Sequence, residues 1–459
     1  MSQTFLARFV AVCVVLLGSV LARAQDLVGL YLTWQGDPTT TMTVNWVNLY
    51  PESSPKVFYR ELATPAVPGL PAAPGTPAVP GLPAAPGTPA APGTPAAPWR
   101  SIEAARTTIV PSSLQRLSVE LTGLSPDTTY ELVLEKQPSS PPVRGDNPVW
   151  RFRTMPAALT RPVRFVSGGD MMHSRTLLDP MNRVVAALDP DFAVWGGDLA
   201  YEDAIYAMRV VDFLQSWMRL ATAADRRLIP VIPVIGNHEV KKGYGGTPRV
   251  DAPYFYGMFP LPEDRAYYAL DFGTYLSFLV LDSGHTNAID GPQVPWLAAA
   301  LEARKGQTHI FPVYHYPAFG TAKAEAGKLA IDHPRSVMMQ KSWVPLFEQF
   351  GVSAVFENDH HTFKRTHPLR DRKRDDATGI TYLGDGAWGV AVRPILTPDA
   401  AWWLAKAEPR NHVWLTTLSP TLPPKFEALD AQSIPPAPPT PFDTYTPPTQ
   451  RTPPTPPTP

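Results

Sequence analysis

Phe192-Ala-Val-Trp-Gly-Gly-Asp-Leu-Ala-Tyr201 is an apolar run that stops abruptly on two glycines and an aspartate. Apolar residues without alternation read as a strand buried on both faces, and Gly-Gly-Asp behind them reads as a tight exit into a loop. The pattern recurs along the chain. Val163-Arg-Phe-Val166 leads to Gly168-Gly-Asp170, Ile232-Pro-Val-Ile235 to Gly236-Asn-His-Glu239, Ile310-Phe-Pro-Val313 to His315-Tyr-Pro317, and Val352-Ser-Ala-Val-Phe356 to Glu357-Asn-Asp-His-His361. A sixth run, Leu276-Ser-Phe-Leu-Val-Leu281, carries no such cluster. Helical periodicity fills most of the gaps, at 207–220, 294–301 and 343–350. Strand, helix, strand repetition predicts an α/β unit whose polar loops gather at the strand ends, spanning 161–430.

Ahead of it the period is two. Thr41-Met-Thr-Val-Asn-Trp46, Lys56-Val-Phe-Tyr-Arg60, Leu117-Ser-Val-Glu-Leu121, Tyr130-Glu-Leu-Val-Leu134 and Val149-Trp-Arg-Phe-Arg153 are short strands separated by turn signals. They predict a β-sandwich over 25–156. Its interruption at 65–98 has Pro at every third position, the period of polyproline II, and Gly at only every sixth, which excludes collagen. Two neighbouring strands joined by this insert need its ends close together, so a looped-out excursion is expected. After 430 the chain turns Pro/Thr-rich, and 431–459 reads as a disordered tail. Residues 1–24 read as an export signal: Arg8 precedes the apolar run from Phe9 to Leu21, and Ala22-Arg23-Ala24 is a small-x-small cleavage site. A secreted or periplasmic protein without a membrane span in its mature form is therefore expected.

Composition limits the chemistry. The 459 residues carry a net charge of −1, so no global field gathers nucleic acid or an anionic membrane. The one cysteine, Cys13, lies inside the export segment, so any metal must be held by nitrogen and oxygen. All ten histidines fall between His173 and His412, which leaves the N-terminal sandwich without histidine chemistry.

The five clusters, in this order, resemble the motif series of the calcineurin-like metallophosphoesterases over roughly 161–389. Their first motif has Asp-x-His, and here the third position is Met172; the purple acid phosphatases instead place a tyrosine three residues after the second aspartate, where Tyr201 stands. Leu124-Ser-Pro-Asp-Thr-Thr-Tyr130 likewise resembles the tyrosine corner of fibronectin type III domains. The resemblance implies a helix-flanked β-sandwich (αββα) preceded by a small all-β, fibronectin III-like sandwich. It implies two metal ions: Fe(III) on Asp170, Asp198, Tyr201 and His361, and Zn, Mn or Fe(II) on Asp198, Asn237, His315 and one more group. It also makes His238 the phosphate contact and proton donor, with Asn237 beside the substrate; His173, near the first motif, is either a second phosphate contact or an exposed loop histidine. The implied reaction is hydrolysis of small phosphomonoesters by a metal-activated hydroxide at mildly acidic pH.

The last motif departs from the family. Where the family has Gly-His-x-His, this chain has Asn358-Asp-His-His361, so either Asp359 or a reoriented His360 completes the second site. His333 and Arg335 are candidates to close over the substrate, while His285, His309, His367 and His412 match no motif. Gly384-Asp-Gly386 and Trp388-Gly389 read as a structural closing strand. The motifs do not separate a monoesterase from a phosphodiesterase or nucleotidase. A non-catalytic exported binding protein stays open as well, and the oligomeric state is not encoded in any motif.

Overall fold

The computed structural model describes residues 27, 29–48, 55–62, 97–134, 148–433 and 439–447. The expected export segment 1–24 and all but the last two residues of the Pro-rich insert 65–98 lie outside them.

The alternating stretches form two antiparallel sheets. One runs β1 (Gly29–Thr33), β2 (Met42–Asn48), β6 (Gln115–Leu121), β5 (Ala105–Thr108); the other runs β4 (Arg100–Glu103), β3 (Lys56–Glu61), β7 (Thr129–Leu134), β8 (Trp150–Arg153). Leu117, Val119 and Leu121 alternate inward along β6 and join Leu30, Val57 and Leu132 in one buried cluster. Ser125 N–H donates to the Tyr130 hydroxyl at 2.8 Å, closing the turn into β7. Tyr59 pairs with Arg100, so the strands on either side of the Pro-rich insert are hydrogen-bonded neighbours.

The long apolar runs build two larger sheets. In the six-stranded sheet, β11 (Val231–Pro233), β10 (Phe192–Trp195) and β9 (Val163–Gly168) are parallel, and β21 (Val413–Leu418), β22 (Lys425–Leu429) and β23 (Asp443–Tyr445) follow antiparallel. The seven-stranded sheet orders β12 (Tyr268–Phe272), β13 (Leu276–Val280), β14 (His309–Val313), β15 (Val355–Phe356), β19 (Tyr382–Gly384), β16 (Phe363–Thr366) and β20 (Leu404–Glu408). A small hairpin of β17 (Leu369–Arg370) and β18 (Lys373–Arg374) projects from it.

Phenylalanines glue the two large sheets face to face. Phe165 of β9 meets Phe278, Phe311 and Phe356 of the opposite sheet edge-on, with ring centroids 5.1, 5.7 and 5.9 Å away. Edge-to-face contacts add directional attraction to the area that they bury. Outside, α1 (Arg175–Leu188) and α2 (Ala207–Leu220) cover the six-stranded sheet. The seven-stranded sheet is covered by α4 (Gln293–Ala303), α5 (Pro334–Ser342) and α6 (Val344–Phe350). The short α3 (Pro253–Met258) packs into the first core, giving the helix-flanked double sheet expected from the motif series. Helix α2 also packs on β1, and a Cβ at Gly29 would stand 2.7 Å from Leu214 Cβ.

Two expectations need correction. Helix α1 has no counterpart in the sequence reading because Pro180 sits inside it and breaks the propensity signal. The tail expected over 431–459 is not structureless where it is described: Asp443–Tyr445 is a strand, with Tyr445 opposite Phe426 and Asp443 held by Arg365 at 2.8 Å. A three-residue edge strand set among prolines is too short to show a period.

Candidate metal centre

Strands β9, β10 and β11 of one sheet and β14 and β15 of the other end at the same rim, so each polar cluster enters one space. Asp170, Asp198, Tyr201, Asp359 and His361 all hold a positive φ, between 53° and 76°. Such backbone costs on the order of 1 kcal/mol or more per non-glycine residue, and its concentration at one rim marks a built site.

Three donors form a tight triangle. Asp170 Oδ1 lies 3.1 Å from the Tyr201 hydroxyl and 2.9 Å from His361 Nε2, which is 3.0 Å from that hydroxyl. Burial, with the Asp170 and Asp198 carboxylates adding to it, pushes the Tyr201 phenol well above its ordinary range. Only a strongly charged cation in reach would make it a phenolate. Gly386 closes this side, and a Cβ there would stand 1.8 Å from Asp170 Oδ2 at φ +64°.

A second group lies beside the first. Asp198 Oδ2 is 3.2 Å from His315 Nε2, which is 3.5 Å from Asp359 Oδ1. Asp170, Asp198 and His315 each offer a donor atom within 4.8 Å of the others. His315 Nδ1 donates to the Gly196 carbonyl at 2.8 Å, which aims Nε2 into the gap. Both His315 Nε2 and Asp359 Oδ1 are buried without a hydrogen-bond partner. Burial opposes charge on His315, but Asp198 and Asp170 raise it well above the usual imidazole value. In turn burial would raise Asp198, and His315 overrides this and holds it at about 2. The proton that charges His315 is what a cation in this gap would displace. The half-buried Asn237 lies at the same mouth, its Oδ1 accepting from the Tyr244 hydroxyl at 3.5 Å.

The last motif joins the first, Asp359 N–H donating to Asp170 Oδ2 at 2.7 Å. The His360 Nδ1 accepts N–H groups of Thr321 at 2.8 Å and Ala322 at 3.0 Å, while its Nε2 lies 3.7 Å from Asp359 Oδ2. An acceptor at Nδ1 places the neutral ring's proton on Nε2, which leaves that atom no lone pair for a metal. Asp359 Oδ2 instead takes a charge-assisted bond of 2.7 Å from Lys323 Nζ.

His238 stands at the open side. Its backbone N–H donates to Asp198 Oδ1 at 2.7 Å and its Nδ1 lies 2.5 Å from Asp203 Oδ1, leaving Nε2 free 3.9 Å from Asp198 Oδ2. The exposed His173 ring is 4.6 Å from that of Tyr201 and 5.3 Å from that of His361. Glu239 supports the floor by accepting N–H groups of Asp198, Leu199 and Gly236. Arg335 Cζ lies over the Tyr244 ring, 3.3 Å from its centroid, while His333 caps α5. His285 is a buried core residue, bonded to Gly243 O and Ser283 Oγ. Sequence reading gives no role to Asp203 or Lys323, since each lies in an irregular loop with no motif spacing.

The double sheet with carboxylates, imidazoles and a tyrosine at its strand ends defines a metallophosphoesterase fold. Residues 27–154 match the model of the purple acid phosphatase N-terminal domain, and 169–357 match that of the calcineurin-like phosphoesterases. The chain is a calcineurin-like, purple acid phosphatase-like protein. Uncharacterised proteins of two Mycobacterium tuberculosis strains, CDC 1551 / Oshkosh and H37Rv, are each 26% identical to it over 289 residues, 54% of this chain. The chain spans 50% of the length of these curated relatives. The structure of purple acid phosphatase PPD1 from yellow lupin (Lupinus luteus) seeds superposes with a TM-score of 0.68 at 14% identity, covering 91% of this chain and 73% of that one. Among the described residues, no helix is long and apolar enough to cross a membrane.

Proposed function

We propose that this chain is an exported two-metal hydrolase of small phosphomonoesters, with 25–156 as its supporting sandwich and 161–430 as its catalytic unit. The observation that carries the reading is the pair of buried, unpartnered donors, His315 Nε2 and Asp359 Oδ1, beside the Asp170–Tyr201–His361 triangle. Unsatisfied polar atoms at full burial are costly, and a cation between them removes the cost.

Asp170, Asp198, Tyr201 and His361 would hold the first ion, and their hard oxygen donors suit Fe(III). Asp198, Asn237, His315 and Asp359 would hold the second. What supports Asp359 over His360 is the pair of N–H groups already bonded to His360 Nδ1. One imidazole among carboxylate and amide oxygens suits Mn or Fe(II) better than Zn.

When bound, the two ions supply Lewis acidity toward the phosphoryl group and acidify a water. The chain's own residues do the rest. Asp198, fixed by the Glu239-braced loop, sets the spacing of the two donor groups. His238, oriented through Nδ1 by Asp203, keeps Nε2 for the ester oxygen and delivers the proton with which it leaves. Asn237 and His173 line the phosphate's approach.

The test is metal analysis of the purified chain together with hydrolysis of aryl phosphate mono- and diesters between mildly acidic and neutral pH. Two ions per chain with faster monoester turnover are expected. Two ions with faster diester turnover would replace the monoesterase reading with the diesterase one. Fewer than two ions and no hydrolysis would favour the binding-protein alternative.

A further inference from the structure

We propose that Lys323 is a specificity-determining, positioning residue that acts through Asp359: the two form a carboxylate–ammonium pair that sets the charge of the second metal group toward a phosphate. This inference rests on the two-metal reading above.

The geometry divides the Asp359 carboxylate between two tasks. Oδ1 faces His315 Nε2 at 3.5 Å, on the side of the metal group, and Oδ2 faces Lys323 Nζ at 2.7 Å. The carboxylate is fully buried, while the Lys323 side chain is 35% exposed and reaches in from the loop after β14. Among the described residues, the other cationic side chains within 4 Å of the Asp359 carboxylate are the imidazoles, whose Nε2 atoms are 3.5 Å (His315) and 3.7 Å (His360) away, while Arg393 Nη1 donates to the Asp359 backbone carbonyl at 3.1 Å.

The electrostatic consequence is direct. With Asp170, Asp198 and Asp359 the group holds three buried carboxylates, which attract cations but repel a phosphate dianion. A fixed ammonium bonded to one of them cancels one negative charge without occupying a donor atom on the metal side. It also keeps Asp359 from presenting both oxygens to the second ion. A neutral side chain at 359 would need no such partner, so the contribution of Lys323 must depend on the residue at 359. That dependence distinguishes the pair from a lysine that simply touches substrate.

The experiment uses the full chain loaded with metal, with inorganic phosphate as probe, and measures phosphate affinity by calorimetry and metal content by elemental analysis. Lys323→Gln should retain both ions and bind phosphate about tenfold more weakly, as loss of one nearby charge in a partly desolvated site predicts. Lys323→Arg should stay close to the parent chain. In an Asp359→His background, Lys323→Gln should cost less than about twofold, because the carboxylate that needs compensation is gone. Unchanged phosphate affinity in Lys323→Gln with both ions present would overturn the proposal and leave the two-metal reading standing. An equal loss in both backgrounds would also overturn it. Fewer than two ions in the parent chain would overturn the two-metal reading and this inference with it.

Discussion

Asp203 Oδ1 lies 2.5 Å from His238 Nδ1, so the half-exposed imidazole is held by one nitrogen and presents the other toward the metal group. A carboxylate in this position fixes the tautomer and the orientation of the ring. His238→Gln should lower kcat by about 100-fold on alkyl phosphates, in line with the usual yield of general acid catalysis. It should cost far less on aryl phosphates, whose leaving groups need no proton. Asp203→Asn should follow the same pattern at about a tenth of the effect. Plotting log kcat against leaving-group pKa checks this, and parallel lines for parent and His238→Gln would remove His238 as the acid.

Tyr201 becomes a phenolate only with a highly charged ion in reach, because burial and two carboxylates hold its proton on. The metal-loaded protein should therefore show a visible charge-transfer band that Tyr201→Phe abolishes while a second-site ion is retained. A colourless, fully loaded parent would end the ferric assignment.

Gly386 tests the tightness of the first site. A methyl group 1.8 Å from Asp170 Oδ2, at a left-handed φ, must displace that carboxylate. Gly386→Ala is expected to lose the first ion in elemental analysis while far-ultraviolet circular dichroism stays unchanged.

His360 and Asp359 can be separated by substitution. Asp359→Ala should lose the second ion and leave His315 Nε2 facing Asp198 alone. His360→Gln should keep both ions, because what it removes are the bonds from Thr321 and Ala322 N–H. The cost of that loss should appear as a lower Tm, on the order of 1–3 kcal/mol of stability. The reverse pattern of metal loss would reassign the ligand.

His412 gives the fold an acid-sensitive point outside the metal group. It is fully buried against Phe363 and the region of Trp414, and burial lowers its pKa from 6.5 to about 4. The folded value lies below the unfolded one, so between the two the unfolded chain binds a proton that the folded chain does not. Stability from this group is complete above pH 6.5 and is lost as pH falls toward 4, by on the order of 3 kcal/mol in total. Thermal unfolding of the metal-free chain from pH 7 to 4 should show this slope, and His412→Phe should flatten it.

The sequence by itself determined the strand series and the donors behind each strand, because a buried parallel strand is a local apolar run and its exit is a local Gly-rich turn. Asp170, Asp198, Asn237, His315 and His361 stand out as candidates because the motif series resembles that of the calcineurin-like metallophosphoesterases, and Tyr201 because its spacing from Asp198 resembles that of the purple acid phosphatases. Tertiary structure alone decided what stands against what. His360 Nδ1 is held by two N–H groups some forty residues earlier in the chain, the Asp359 carboxylate is divided between His315 and Lys323, and Asp203 reaches His238 from another loop. These contacts join loops of different strands, and no periodicity within one segment records them. The strand at Asp443–Tyr445 was hidden for the related reason that its order comes from pairing with β22 rather than from its own composition.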